Sequence, residues 1–451
     1  MHDLNGKNHP YEGGGNQGNG QRLDTELHHL IQCVANVNLP TKQPQKNLPG
    51  KQGQISQPRQ ERNDACAERP YHGSIVFNLL ITDQIWREIR PFYDTQVYRT
   101  LANEFFDALT SVRAGLHGPP SYHRSYLGRP VNVFPGTYGA IDVGGSHVRL
   151  AVASVSQNHE VTIISSKKNP VPDAKTVPEF FSRIAECFLI LLAPYSDVSN
   201  VGFTFSYPMQ TLSANRSWVQ RWTKSVRLPT SPAIDPAHSL VQAMAQLGRP
   251  VRVAALLNDT VAAGIAGGHD VDMGLVLGTG FNLSLYDTDL GEFINLEVGQ
   301  CNSPALQALT TSWDRRVDLA SANPGHQVAE KQVGGLYLGQ LASEMLGKPM
   351  TAADVANCDA KVSPCPTEMA DLCRAIRFRA AGITLSFIRG AAKALGKSKV
   401  TVSVDGSLFA HYNAFRLQLE SVPDIMWLSP TQPSLVGAVL AAATQTYTTG
   451  I

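Results

Sequence analysis

Charge of one sign is what this chain has least of: 38 Lys and Arg stand against 37 Asp and Glu, a formal net charge of +1 at pH 7. That balance excludes a large basic face for nucleic acid or anionic lipid, since such faces draw on a surplus of cations. Long apolar runs are also missing, and none approaches the ~18–20 residues that span a bilayer. The N-terminus opens polar and rich in Gly and Asn, without the apolar core of a secretory signal. Cysteine is scarce: the seven copies form no C-x-x-C pair, which removes the common zinc-finger spacings. Cys358, Cys365 and Cys373 are the nearest group and make a poor metal site, so a reduced, cytoplasmic protein is the simpler expectation. No internal repeat at solenoid period occurs.

What is present suits a globular protein. Hydrophobic residues make up 43% and charged residues 17%. A length of 451 residues exceeds one compact core, which predicts two lobes and an appended tail. Residues 1–73 are rich in Gly, Asn, Gln, Pro and Lys and read as a flexible extension, the kind of arm that recruits a protein partner. From residue 74 to 126 the apolar spacing, as in Ile75–Leu80 and Phe105–Leu109, predicts helices that pack on the larger lobe, with a break at Gly118-Pro119-Pro120. An α/β pattern follows. Tyr138–Asp142 reads as a strand and Val148–Val155 as its hairpin partner. Val177–Leu192 is a helix with Pro178 in its first turn, where proline is tolerated. Val201–Ser206 and Val251–Leu257 are buried strands, and Ala262–Ala266 is a small-residue helix. Gly274–Leu277 and Leu283–Tyr286 flank a Gly-Thr-Gly turn. Leu372–Leu395 is a long helix, Val400–Val404 a strand and Gly437–Ala443 the start of a last helix.

Three glycine turns follow three apolar strands: Asp142-Val143-Gly144-Gly145-Ser146, Gly278-Thr279-Gly280-Phe281-Asn282 and Asp405-Gly406-Ser407. Glycine there lets backbone amides approach a phosphate with no side chain between. The Asp142 carboxylate suits Mg2+, which prefers one or two carboxylates beside phosphate oxygens and water. Each turn alone is more often a plain hairpin; three in this order over one chain are far harder to read as coincidence.

At these residues the chain resembles the hexokinase family. Gly202-Phe203-Thr204-Phe205-Ser206-Tyr207-Pro208 is similar to the family's "GFTFSFP", Trp222-Thr223-Lys224 to its "WTK", and Leu257-Asn258-Asp259-Thr260-Val261 to "VNDTV". Ile294-Asn295-Leu296-Glu297 is similar to "INTE". Ser321-Ala322-Asn323-Pro324-Gly325, followed by Glu330-Lys331 and Gly334-Gly335, is similar to "SANPGxQxxEKxxGG". The resemblance runs from about Phe105 to the end. It implies a two-lobed α/β fold of the actin-like, ribonuclease-H-like ATPase type with a sugar cleft between lobes: a small lobe over 127–256, a large lobe over 257–435 and a terminal helix, 436–451, returning to the small lobe. It further implies ATP with Mg2+, the metal held by Asp142 through water. Ser206, Thr223, Lys224, Asn258, Asp259, Asn282, Glu297 and Glu330 would hold the hydroxyls of a hexose. Gly144, Gly145, Ser146, Arg149, Gly278, Thr279, Gly280, Asp405, Gly406, Ser407, Ser434 and Gly437 would line the nucleotide. Asp259 would take the proton from the attacking 6-hydroxyl, with Lys224 balancing developing charge. The chemistry is consistent, because a sugar's hydroxyls both donate and accept and need carboxylates and amides converging from several segments. Singly, each of these residues also reads as a cap or turn former, and Asp259 as an N-cap.

The pattern departs from the family in three places. His147 stands where the first turn usually carries Asn. Ser225-Val226 replaces the Gly-Phe that usually follows Lys224. The terminal "GSGKG" turn aligns with Pro433-Ser434-Leu435-Val436-Gly437, losing two glycines and a lysine; Leu435 then stands where backbone should approach the nucleotide. Two functions follow: a hexose kinase, or a sugar-binding regulator on a kinase scaffold with weak or no catalysis.

Overall fold

The computed structural model describes residues 85–223, 226–231, 233–361 and 365–445. The chain divides at Pro91, and the elements below belong to the part that begins there. The extension 1–73, the first apolar stretch at Ile75–Leu80 and Lys224 lie outside the described residues. A two-residue strand, β1 (His123–Arg124), joins a sheet that the chain completes only later.

The small lobe is a five-stranded sheet built from β2 (Gly136–Val143), β3 (His147–Val155), β4 (Val161–Pro170), β5 (Asn200–Phe205) and β8 (Arg252–Leu257), in the order β4-β3-β2-β5-β8. β3 runs antiparallel to β2 and β4, while β5 and β8 run parallel to β2 and to each other. Alternation along the strands makes the two faces unlike. Ile141, Val143, Leu150, Val152, Val201, Phe203 and Phe205 fill one core with the helices Val177–Leu192 and Pro236–Gln246. Thr176 caps the first helix on the Glu179 amide at 3.3 Å, and Phe180, Phe181, Ile184 and Phe188 supply its buried stripe. The opposite face carries Ala140, Ala151, Ala153, Ala254 and Ala255 and packs against the C-terminal helix, Pro433–Gln445. Small residues on both sides let backbone approach backbone: a Cβ at Gly202 of β5 would overlap the Ala438 carbonyl of that helix, and one at Gly437 the Ala262 carbonyl of the helix Asp259–Ala266. The hairpin β6 (Met209–Ser213) and β7 (Arg216–Val219) lies beside this lobe.

The large lobe holds β9 (Met273–Leu277), β10 (Phe281–Asp287), β11 (Glu292–Asn295), β12 (Val400–Asp405) and β13 (Ile425–Leu428), ordered β1-β11-β10-β9-β12-β13. The long helix Thr367–Ala394 carries the helix Thr95–Arg113 on it, with Phe105 edge-to-face on Phe387 at 4.6 Å between ring centroids. Between the lobes runs the helix Asp259–Ala266, buried from Thr260 to Ile265. Its residues are small or apolar all round, as burial between two layers requires. Gly274 lies against the Thr260 carbonyl, and Ser284 Oγ donates to that carbonyl at 2.9 Å.

Three expectations need correcting. Pro433–Gly437 is not a turn but the opening of the last helix. Leu435 is 1% exposed and part of the small-lobe core, so its side chain does not stand in the nucleotide's way. Cys358 and Cys365 are paired as a disulfide, contrary to the all-reduced reading. The two-residue β1, the polar edge strand β4, the hairpin β6–β7 and the helix Pro236–Gln246 were also not anticipated.

Candidate active site

The second and third glycine turns meet, while the first joins β2 to β3. Asp142 is the penultimate residue of β2 and is 1% exposed. Arg149 sits opposite it on β3 and donates from Nε to Asp142 Oδ2 at 2.6 Å. Burial pushes the Asp142 carboxyl up to about 6; the guanidinium opposes this, while the nearby charges of Asp259 and Asp405 add to it. The charges of Asp259 and Asp405 are thus felt at Asp142, yet among the described residues no three carboxylate, histidine or cysteine side chains group closely enough to hold a metal ion by themselves, so Asp142 could bind Mg2+ only together with water and phosphate oxygens.

The first turn is fixed by the Gly144 amide donating to the His147 carbonyl at 3.0 Å, and Ser146 Oγ lies 2.9 Å from His147 Nδ1. Gly145 continues this turn, Tyr207 reaching back to the Gly144 carbonyl at 3.3 Å. The second turn closes from the Gly278 amide to the Gly280 carbonyl at 3.1 Å, and the carbonyls of Gly278 and Thr279 accept the Gly335 and Leu336 amides at 2.8 and 3.2 Å. Gly406, at φ +135, occupies backbone space that a side chain cannot share, against the Leu277 carbonyl. A Cβ at Gly278 would lie 3.3 Å from both the Gly406 Cα and the Ser407 amide, so the second and third turns form one surface. Gly437, by contrast, serves the contact between helices noted above, and the Ser434 hydroxyl is turned inward to Asp405 Oδ2 at 2.6 Å; neither offers the surface the sequence assigned to it.

The residues expected on the sugar side come from six segments, and Asn258, Asn295 and Glu297 line one pocket. Asn258 caps the interlobe helix on the Thr260 amide at 2.8 Å, which leaves Asp259 in the first turn free of capping duty. Asn282 donates to Asn295 Oδ1 at 2.9 Å, and Asn295 donates to Glu297 Oε1 at 2.8 Å. Glu297 and Gln327 both hold left-handed backbone, with φ of 48 and 56, unusual for such side chains and frequent at functional sites. The Glu330 carboxylate abuts Gly280, joining this cluster to the second phosphate turn. Ser206 follows β5, its amide bonded to the Val143 carbonyl at 3.0 Å, and Thr223 sits on a loop pinned by Trp222, whose Nε1 donates to the Pro229 carbonyl at 3.1 Å. Lys331 is not a ligand in this arrangement: its ammonium is buried on Asp318 at 2.5 Å and on the Asn323 carbonyl at 2.8 Å, locking the loop before Glu330.

Asn295 and Gln327 were not assigned from sequence. Gln327 carries the clearer signal, since its Oε1 is buried without a partner beside Gly299, and a buried unpaired acceptor costs about 1–3 kcal/mol until something donates to it. Both residues lie within motifs of the family resemblance, Asn295 in Ile294-Asn295-Leu296-Glu297 and Gln327 two residues after Gly325, and for Asn295 only its contact with Glu297 marks it.

The Asp142 shift carries a sign. Its folded carboxyl binds a proton more tightly than the ordinary value of 3.8, so its contribution to stability is full below that value and lost as pH rises through about 6. Asp142→Asn removes the loss, and the apo variant is expected to gain on wild type by up to about 3 kcal/mol between pH 4 and pH 7. Urea unfolding of both proteins at the two pH values checks this; a gap that stays constant rules the effect out.

Two family models, each described as Hexokinase, match residues 93–269 and 272–364, together well over half of the chain. The chain is 30% identical to Hexokinase-1 of Saccharomyces cerevisiae over 280 residues, 55% of this chain and 57% of that protein. It is 26% identical to Hexokinase-1 of Nicotiana tabacum over 381 residues, 68% and 75% of the two chains. It thus spans little more than half the length of the yeast relative. Among solved structures, a hexokinase from Schistosoma mansoni complexed with glucose superposes with a TM-score of 0.69 at 20% identity, covering 81% of this chain and 99% of that one. A second hexokinase crystal structure gives 0.70 at 21%, with 81% and 100% covered. The two-lobed fold is therefore the one the motifs implied. The chain belongs to the hexokinase family.

Proposed function

We propose that this protein phosphorylates a hexose at its 6-hydroxyl, with ATP as donor and Mg2+ as the metal. The observation that carries the reading is the position of Asp259. It opens the helix between the lobes, close enough to Asp142 to raise that carboxyl and next to Asn258 of the sugar cluster. ATP would supply the phosphoryl group, the bond from its γ-phosphorus to the bridging oxygen breaking as ADP leaves, and Asp142 would hold Mg2+ through water to compensate the phosphate charge. Asp259 accepts the proton of the 6-hydroxyl as that oxygen attacks, which keeps the nucleophile from carrying its proton into the new bond. Asn258, Asn282, Glu297, Gln327 and Glu330 hold the other hydroxyls and set the ring's orientation. Closure of the lobes over the sugar excludes water, which would otherwise accept the phosphoryl group.

A sugar-binding regulator would rest on the altered terminal segment and on His147. Leu435 lies in the core and is no obstacle to a nucleotide, the lysine absent at Val436 and the change at His147 stand, and no observation among the described residues favours a protein without catalysis. The test is hexose 6-phosphate formation by purified protein with Mg-ATP and glucose, fructose or mannose. Turnover on any of the three supports the assignment. Protein that binds hexose by calorimetry yet forms no product overturns it. Gln327→Ala is expected to weaken hexose binding by about 10- to 100-fold, the effect of one lost buried hydrogen bond, measured by the same titration; unchanged affinity removes Gln327 from the site.

A further inference from the structure

Ser434 is the second residue of the C-terminal helix and is 1% exposed. Its hydroxyl donates to Asp405 Oδ2 at 2.6 Å, and the same oxygen accepts from Arg149 Nη2 at 3.5 Å. Its carbonyl accepts from the fully buried Thr204 hydroxyl at 3.0 Å. Asp405 ends β12 of the large lobe, while Arg149 and Thr204 belong to β3 and β5 of the small lobe. One serine thus ties together elements of both lobes, and through Arg149 it reaches the Asp142 carboxylate. Its proton is committed to Asp405, so the hydroxyl has none to offer a phosphate.

We propose that Ser434 is a positioning residue, holding Asp405 and the Arg149 guanidinium in register across the lobes so that Asp142 and the phosphate turns keep their mutual geometry. This rests on the reading of that surface as the nucleotide site. The direction follows from the bond lengths. The short bond assigns Ser434 to Asp405; Arg149 is held mainly by Asp142, with Nε at 2.6 Å and Nη2 at 2.5 Å from Oδ2, and the 3.5 Å contact with Ser434 only trims the direction of the Nη2 end. Loss of the hydroxyl leaves Asp405 short of a donor and shifts it against the Arg149–Asp142 pair, while Asn258, Asn282, Glu297 and Glu330 are untouched.

Ser434→Ala is expected to weaken binding of the Mg2+ complex of a non-hydrolysable ATP analogue by about 10-fold, with hexose affinity unchanged, both read by calorimetry on the full chain. Ser434→Thr, which keeps the hydroxyl, should restore most of the loss. In an Arg149→Lys background the same Ser434→Ala change should have a much smaller effect, because residues acting through one network are not additive. A merely structural serine would lower both affinities together and show additivity with Arg149→Lys. That pattern, or Ser434→Ala protein binding the analogue as wild type does, overturns the proposal alone. Wild-type protein that binds hexose but not the analogue overturns the nucleotide reading and this one with it.

Discussion

Replacing Asp259 by alanine is expected to cut turnover by about 10²- to 10⁴-fold, the range a positioned general base contributes. Hexose affinity should fall far less. The usual objection to an alanine at such a site is that it breaks the fold, and here the geometry answers it. Asn258, not Asp259, caps the helix, accepting the Thr260 amide at 2.8 Å. Asp259 contributes a 3.3 Å contact with the Thr260 hydroxyl and otherwise leaves the helix interior, Thr260 to Ile265, as it was. Asn258→Ala provides the contrast: it removes a cap worth about 1 kcal/mol and should weaken sugar binding while retaining proton abstraction. Single-turnover product formation and calorimetric titration separate the two. Asp259→Ala protein working within about 10-fold of wild type would show that another group, or water, takes the proton.

The largest effect on stability is expected at Arg379. This side chain is 0% exposed on the long helix and grips Asp314 with two nitrogens, Nη1 at 2.6 Å and Nη2 at 3.0 Å, while Nη1 also donates to the Leu309 carbonyl at 3.0 Å. Its guanidinium lies over the Phe92 ring, 4.6 Å from the centroid. Arg379→Met deletes the cation and strands a buried carboxylate, a cost of about 3–5 kcal/mol. Changing Asp314 to Leu as well should recover most of that, because a buried ion pair replaced whole is often neutral. The recovery should stop short by about 1 kcal/mol, since Asp314 also closes a capping box with Thr311, accepting its amide at 2.8 Å. Urea unfolding of the single and double variants decides. A single variant within about 1 kcal/mol of wild type would mean that water reaches Asp314 once the arginine is gone.

Much of the site was legible because its residues are chemically odd for their places. Asp142 ends an apolar strand, Asp259 precedes a run of small residues, and glycines break three strands in the same manner. Hydrophobic period gave Val177–Leu192 to the residue, since its apolar positions repeat at helical spacing and Thr176 marks its start. The helix Pro236–Gln246 was missed although Asp235 caps it and Pro236 opens it; its apolar content is modest and the surrounding prolines suggest loop. β4 was missed because an edge strand with Lys167 and Lys168 exposed looks like a polar connection. The terminal segment was misread for a different reason. Aligning Pro433–Gly437 with a phosphate turn treated Leu435 as an obstacle, whereas helical geometry sends that side chain into the alanine-lined face of the small lobe. Gln327 stands at the Q of the motif that begins at Ser321, but its unpaired buried oxygen, the feature that singles it out, exists only once the chain is folded.

The return of Pro433–Gln445 to the small lobe has a consequence for how the protein is made. The strands that this helix covers, β2 through β8, are synthesised by residue 257, yet one face of their sheet lacks its cover until nearly two hundred further residues have left the ribosome. Emerging chains therefore carry an alanine-lined sheet face open to solvent while the large lobe is still being made, a non-local closure of the kind that slows folding and invites off-pathway association. The interlobe helix shares that wait, since Gly437 is the residue that fits against Ala262. The small lobe, first in sequence, is the last to mature, and a ribosome stall in the second half of the message leaves behind a nascent chain that has Asp259 but cannot yet hold it in place.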